Sequence, residues 1–116
     1  METVLEAAIN CELLVYASPL LMGMTSAVLK RASDRMIPLL MPYIRIVDGA
    51  CRHAKRYESY PRTALLVEPE RDTDEEDLGI VEDIYRQIAY DFRSELVFTG
   101  TTDRSAREVA DALGGL

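Results

Sequence analysis

Residues 12–35 read ELLVYASPLLMGMTSAVLKRASDR, and the passage from apolar run to charged helix within them decides the fold. Glu12 to Ala17 (ELLVYA) is apolar without alternation, the pattern of a strand covered on both faces. Ser18-Pro19 is expected to end that strand, because proline cannot donate to a ladder. Thr25 or Ser26 then caps a helix with Val28, Leu29, Ala32 and Met36 turned inward and Lys30, Arg31, Asp34 and Arg35 turned to water. Pro38 and Pro42, in IPLLMPYI, stop or bend it.

Working outward, Glu2 to Ile9 fits a short amphipathic helix with Val4, Leu5, Ala8 and Ile9 on one face and Asn10 at its end. Arg45 to Pro61 reads as polar and irregular, with a short extended piece over Ile44 to Val47. Thr63 to Val67 is a second core strand, followed by the acidic run EPERDTDEED. Val81, Ile84, Tyr85, Ile88 and Phe92 recur at helical spacing and predict a helix over 78–92. Glu95 to Thr99 is a third strand. Thr101 to Asp103 supplies capping chemistry, and Ala106, Val109, Ala110 and Leu113 form the inner stripe of a last helix. Strands alternating with helices require crossover connections, so the expected class is α/β with a parallel sheet, in one domain over 1–116.

The composition excludes several functions. A formal charge of −7 over 116 residues disfavours nucleic acid and anionic membranes, both of which select basic surfaces. The longest uncharged run, Leu13 to Leu29, is short for a membrane span and is broken by Ser18, Pro19, Gly23, Thr25 and Ser26. Glu2 and Glu6 stand where a signal peptide would be basic, so a cytoplasmic protein is expected. The two cysteines, Cys11 and Cys51, lack metal-ligand spacing, and no metal site is expected. The acidic run lacks the central glycine and distal glutamate of a calcium loop and suits the start of the helix after it. His53 is the only histidine and has no legible nucleophile beside it. CRHAKRY is a basic island whose Arg52, Lys55 and Arg56 would suit either a phosphate or a solvated, salt-bridged loop.

One stretch resembles a known family. The apolar strand, Ser-Pro turn, glycine, hydroxyl residue and helix with Leu-Lys and Asp-Arg resemble the second flavin-contacting segment of flavodoxin-like NAD(P)H-dependent FMN reductases and multimeric flavodoxins. The matching positions are Ser18, Pro19, Gly23, Thr25, Leu29, Lys30, Asp34 and Arg35. The resemblance is sharpest over 13–43 and implies a three-layer flavodoxin-like parallel sheet, of which this chain supplies the C-terminal three strands and their helices. It implies FMN as cofactor, NAD(P)H as electron donor, and a small molecule or protein as acceptor. Ser18, Pro19, Leu20, Leu21, Met22, Gly23 and Met24 would contact the flavin. Leu21 and Met22 stand where the family carries aromatic residues, so stacking would give way to aliphatic and sulfur contact.

The family's opening strand, Ser/Thr/Gly-rich phosphate loop and helix have no counterpart in these residues. An apolar strand edge would then be left to pair, and a homo-oligomer or companion chain is expected to cover it. The alternative is a cofactor-free α/β interaction domain that docks a partner through that edge.

Overall fold

In the computed structural model, which describes residues 2–115, the chain is mixed α/β with four helices and a mostly parallel four-stranded sheet. The helices are α1 (Glu2–Asn10), α2 (Ala27–Arg35), α3 (Glu75–Asp91) and α4 (Ala106–Gly114). The strands are β1 (Leu13–Leu21), β2 (Met24–Thr25), β3 (Leu40–Val47), β4 (Ala50–Lys55), β5 (Arg62–Glu68) and β6 (Leu96–Thr101). The sheet order is β2-β1-β5-β6; β5 is parallel to both β1 and β6, and only β2 runs antiparallel.

β1 overturns two expectations. It does not stop at Ser18-Pro19 but runs to Leu21, with Pro19 in register with Glu68. The reason is which way its backbone faces. The Arg62 N–H donates to the Glu12 carbonyl at 3.1 Å. Alternation in a parallel ladder then turns the even-numbered residues of β1 toward β5 and Leu13, Val15, Ala17 and Pro19 toward the other edge. Proline's missing donor falls on that edge, where a strand tolerates it.

Nor is β1 covered on both faces. Tyr16, Ser18 and Leu20 are buried, whereas Val15, Ala17, Pro19 and Leu21 are exposed. Its sequence is uniformly apolar, but its surroundings alternate.

The main core lies on the Tyr16 face. Tyr16, Leu20, Leu65 and Val67 pack there against Ala8 of α1, Met36 and Leu39 beyond α2, and Val81 and Tyr85 of α3. The Tyr16 and Tyr85 rings lie 5.1 Å apart in a tilted pair, a contact worth about 1 kcal/mol beyond its buried area. The opposite face is closed at β5, where Ala64 has no exposure, and opens toward β1, where Val15 is 40% exposed. Val109 of α4 lies beside Leu66 on this second face. Gly100 of β6 faces it too: a Cβ there would meet Phe98 Cζ at 2.7 Å, so the ring occupies the space a side chain would fill.

Local chemistry sets the helix ends. Ser26 caps α2, its Oγ accepting from Leu29 N–H at 3.2 Å. Asp74 and Asp77 form a capping box at α3, and Glu75, Glu76 and Asp77 fill its first turn, so the acidic run partly becomes helix. Ser105, not the expected Thr101 to Asp103 segment, caps α4.

The inner faces differ in detail from expectation. Val4, Val28, Ile84, Ala106 and Ala110 are exposed although their spacing placed them inward. In each helix a narrower stripe than the sequence offers is buried.

The largest correction concerns residues 40–55. The stretch Arg45 to Pro61, expected to be irregular, is strand as far as Lys55: with Leu40 to Ile44 it forms a β3–β4 hairpin, closed by Asp48 (φ 50°) and Gly49 (φ 80°). Two successive positive φ angles are what a two-residue hairpin turn requires. Arg52 anchors the hairpin: its guanidinium pairs with Asp91 and lies 4.5 Å from the centre of the Tyr90 ring.

Candidate functional site

The carboxyl ends of β1, β5 and β6 converge, as parallel strands must, and three connections meet there. The first is the expected segment 18–24. Leu21 and Met24 pair across a turn made by Met22 (φ 54°) and Gly23 (φ 81°), so β1 folds back as a short hairpin before α2 begins. Gly23 occupies the left-handed region at little cost; Met22 does so under strain.

Within this segment the side chains divide into two groups. Ser18 is buried, and its Oγ accepts the Ser26 N–H at 2.8 Å while donating to the Pro19 carbonyl at 2.8 Å. Both contacts tie the end of β1 to the start of α2 and commit the hydroxyl to the fold. Leu20 is 2% exposed and belongs to the core. Leu21 (55% exposed), Met22 (95%) and Met24 (46%) form an apolar tip at the end of the sheet, with Pro19 exposed behind them. Of the seven expected residues, Ser18 and Leu20 are structural, and the others are available.

The second connection, after β5, reaches the first. Glu70 Oε1 accepts the Met22 N–H at 2.7 Å, holding the strained turn in place. Glu70 in turn is positioned by its own N–H, which donates to Thr73 Oγ1 at 2.8 Å. No local sequence pattern marks this role, because the partners are 48 residues apart. The third connection begins where Thr102 N–H donates to the Val67 carbonyl at 3.0 Å. Beside it is a cleft of about 270 Å³ lined by Val81, Glu82, Thr99, Gly100, Thr101 and Arg104.

These residues fit one part of a flavin and not another. Leu21, Met22, Met24 and Pro19 present the aliphatic and thioether contacts that a flat ring system accepts. For a phosphate, this end of the sheet offers Arg104 in the cleft beside the third connection, whereas residues 18–24 themselves carry no cation. The loop after β5 brings Glu68 and Glu70, which repel an anion, and the Met22 N–H is already taken by Glu70. No group of three or more His, Cys, Asp or Glu capable of holding a metal occurs among the described residues.

The remaining expected residues lie elsewhere. Lys30 and Asp34 form the i,i+4 pair their spacing predicts, at 2.6 Å and largely exposed, so it contributes only a few tenths of a kcal/mol. His53 pairs its Nδ1 with the Met41 carbonyl at 3.1 Å, within the hairpin. Cys11 and Cys51 are free thiols. Arg56 donates to the Pro38 carbonyl at 3.0 Å and Arg52 is held by Asp91, so two cations of the basic island serve the hairpin. No helix among the described residues is long and apolar enough to cross a membrane.

No family model, curated protein or solved structure matches the chain.

Proposed function

We propose that this chain is the ring-side portion of a flavodoxin-like FMN-binding domain serving electron transfer, with NAD(P)H as the donor the sequence resemblance implies. The observation that carries the reading is the apolar tip Leu21–Met22–Met24 at the carboxyl end of β1, a strand whose other edge is unpaired over Leu13–Pro19 among the described residues.

Topology supports it. The crossovers β1-α2-β5 and β5-α3-β6 both run over the Tyr16 face. Parallel crossovers are right-handed, so this face serves strands that step from β1 toward β6. A crossover helix on the opposite face would have to join strands that step in the other direction, away from β5. A strand-helix unit added at the open edge would cover Val15 and Ala17 and reverse the winding there. Such reversals are where doubly wound sheets bind ligands, beyond the carboxyl ends of the strands. The tip at Leu21–Met24 would stand at that position.

The chain's own residues would receive the ring by apolar contact, and Glu70 would hold the loop rigid. A bound flavin would supply the hydride and electron chemistry. The phosphate would be held from across the open edge, by a second copy or a companion polypeptide. The same edge also suits a cofactor-free docking domain, which a colourless, defined assembly would favour.

The test is flavin fluorescence quenching with riboflavin and FMN on the isolated chain. Both are expected to bind within about threefold of one another, since the turn that receives the ring carries no cation to favour FMN. Met22→Asp, at a fully displayed tip residue, is expected to weaken both by about tenfold. Absence of quenching with either flavin, or quenching indifferent to Met22→Asp, would overturn the reading.

A further inference from the structure

The hairpin β3–β4 meets the end of α3 at an open concavity of about 410 Å³, lined by Met41, Tyr43, Arg45, Val47, Ala54, Lys55 and Arg93. Three of these seven residues are cationic and none is acidic, in a chain of net charge −7. Among the described residues none of the three cations forms an ion pair with a carboxylate. Lys55 Nζ donates to the Glu58 carbonyl at 2.6 Å, and Arg93 donates to the carbonyls of Asp91 at 2.7 Å and His53 at 2.6 Å. Neutral carbonyls orient a cation without cancelling its charge.

Arg93 is held there against its backbone preference. It follows α3 with φ of 54°, the left-handed position at a helix end where glycine is free of strain. Two of its donors are used, and the rest of the fork remains for an anion. Tyr43, 65% exposed, supplies one wall, while Met41 and Ala54 add an apolar floor.

We propose that this concavity binds a small phosphorylated ligand with a flat aromatic body, of the nucleoside polyphosphate class. Arg45, Lys55 and Arg93 would meet the phosphates and Tyr43 the base. The volume is within the range of small-molecule sites. Arg93 leads into β6 at the amino ends of the parallel strands, the opposite end of the sheet from Leu21–Met24. The site therefore stands independently of the flavin reading.

Isothermal titration calorimetry of the whole chain with ATP, pyrophosphate and adenosine tests it. ATP is expected to bind once per chain in the sub-millimolar range, pyrophosphate about tenfold more weakly, and adenosine more weakly still. Arg45→Gln with Lys55→Gln should weaken ATP by at least about tenfold. Arg31→Gln with Arg35→Gln, on the exposed face of α2, removes the same charge and should change affinity by less than about twofold. Arg45→Gln alone, in an exposed side chain, should cost about threefold and guards against misfolding of the double variant. Failure of ATP to bind at millimolar concentration, equal losses in the two double variants, or pyrophosphate binding as tightly as ATP would each overturn the proposal.

Discussion

Replacing Tyr16 by phenylalanine should make the protein resist alkali. Tyr16 is 5% exposed, and among the described residues its hydroxyl has only a thioether within reach, Met36 Sδ at 3.9 Å. Burial, reinforced by the neighbouring Tyr85 and then Cys11, pushes its ionisation from the usual 10.0 up to about 12. The folded state thus prefers the neutral phenol. Its contribution is complete below pH 10 and is lost as pH rises toward 12, because over that interval the unfolded chain sheds a proton that the native chain keeps. With those two values the loss is about 1.4 kcal/mol at pH 11 and approaches ~2.7 kcal/mol above pH 12. Phenylalanine carries no such proton. The two proteins should be about equally stable at pH 7, since the hydroxyl forfeits only a weak sulfur contact. Urea unfolding followed by circular dichroism at pH 7, 10 and 11 gives the difference directly, and other alkaline titrations cancel between the two. A stability gap that stays constant from pH 7 to 11 would refute the buried, proton-holding role of Tyr16.

Ser18→Ala should lower stability by about 1–2 kcal/mol, because it strands the Ser26 N–H at the start of α2; chemical denaturation measures this. Flavin affinity in the same variant should change no more than the loss of fold predicts, and a specific loss of flavin with unchanged stability would return Ser18 to the ligand. Val15→Lys places a charge on the open side of β1, where 40% of the side chain is exposed. Size-exclusion chromatography with light scattering should show any assembly of the wild-type chain reduced to monomer, with the fold intact by circular dichroism.

How much of this was legible in the sequence depended on how local the cause was. The α/β alternation and the existence of β1, β5 and β6 follow from apolar runs and helical spacing, and Ser26 announces the start of α2 in its own neighbourhood, whereas α3 begins at Glu75, three residues ahead of the expected Leu78. The hairpin has a local signature, Asp48-Gly49 between I-R-I-V and A-C-R-H-A, but Arg45 on one strand and Arg52, His53 and Lys55 on the other give the stretch the polarity of a loop. Pro19 departs from expectation for a different reason. Whether proline ends a strand depends on which edge its nitrogen faces, and that is fixed only once β5 has paired. The one-sided burial of β1 was equally hidden, since LLVYA is apolar at every position and exposure depends on which layers lie over it. Glu70 could not be foreseen at all, because its partner is 48 residues away.

The contact between Gly100 and Phe98 makes what position 100 can inherit depend on position 98. A methyl group at 100 would sit 2.7 Å from the ring, so the residue two places earlier must shrink or swing away before position 100 can gain any side chain. A smaller residue at 98 is therefore expected to ease an alanine at 100, whereas position 98 can shrink without any change at 100.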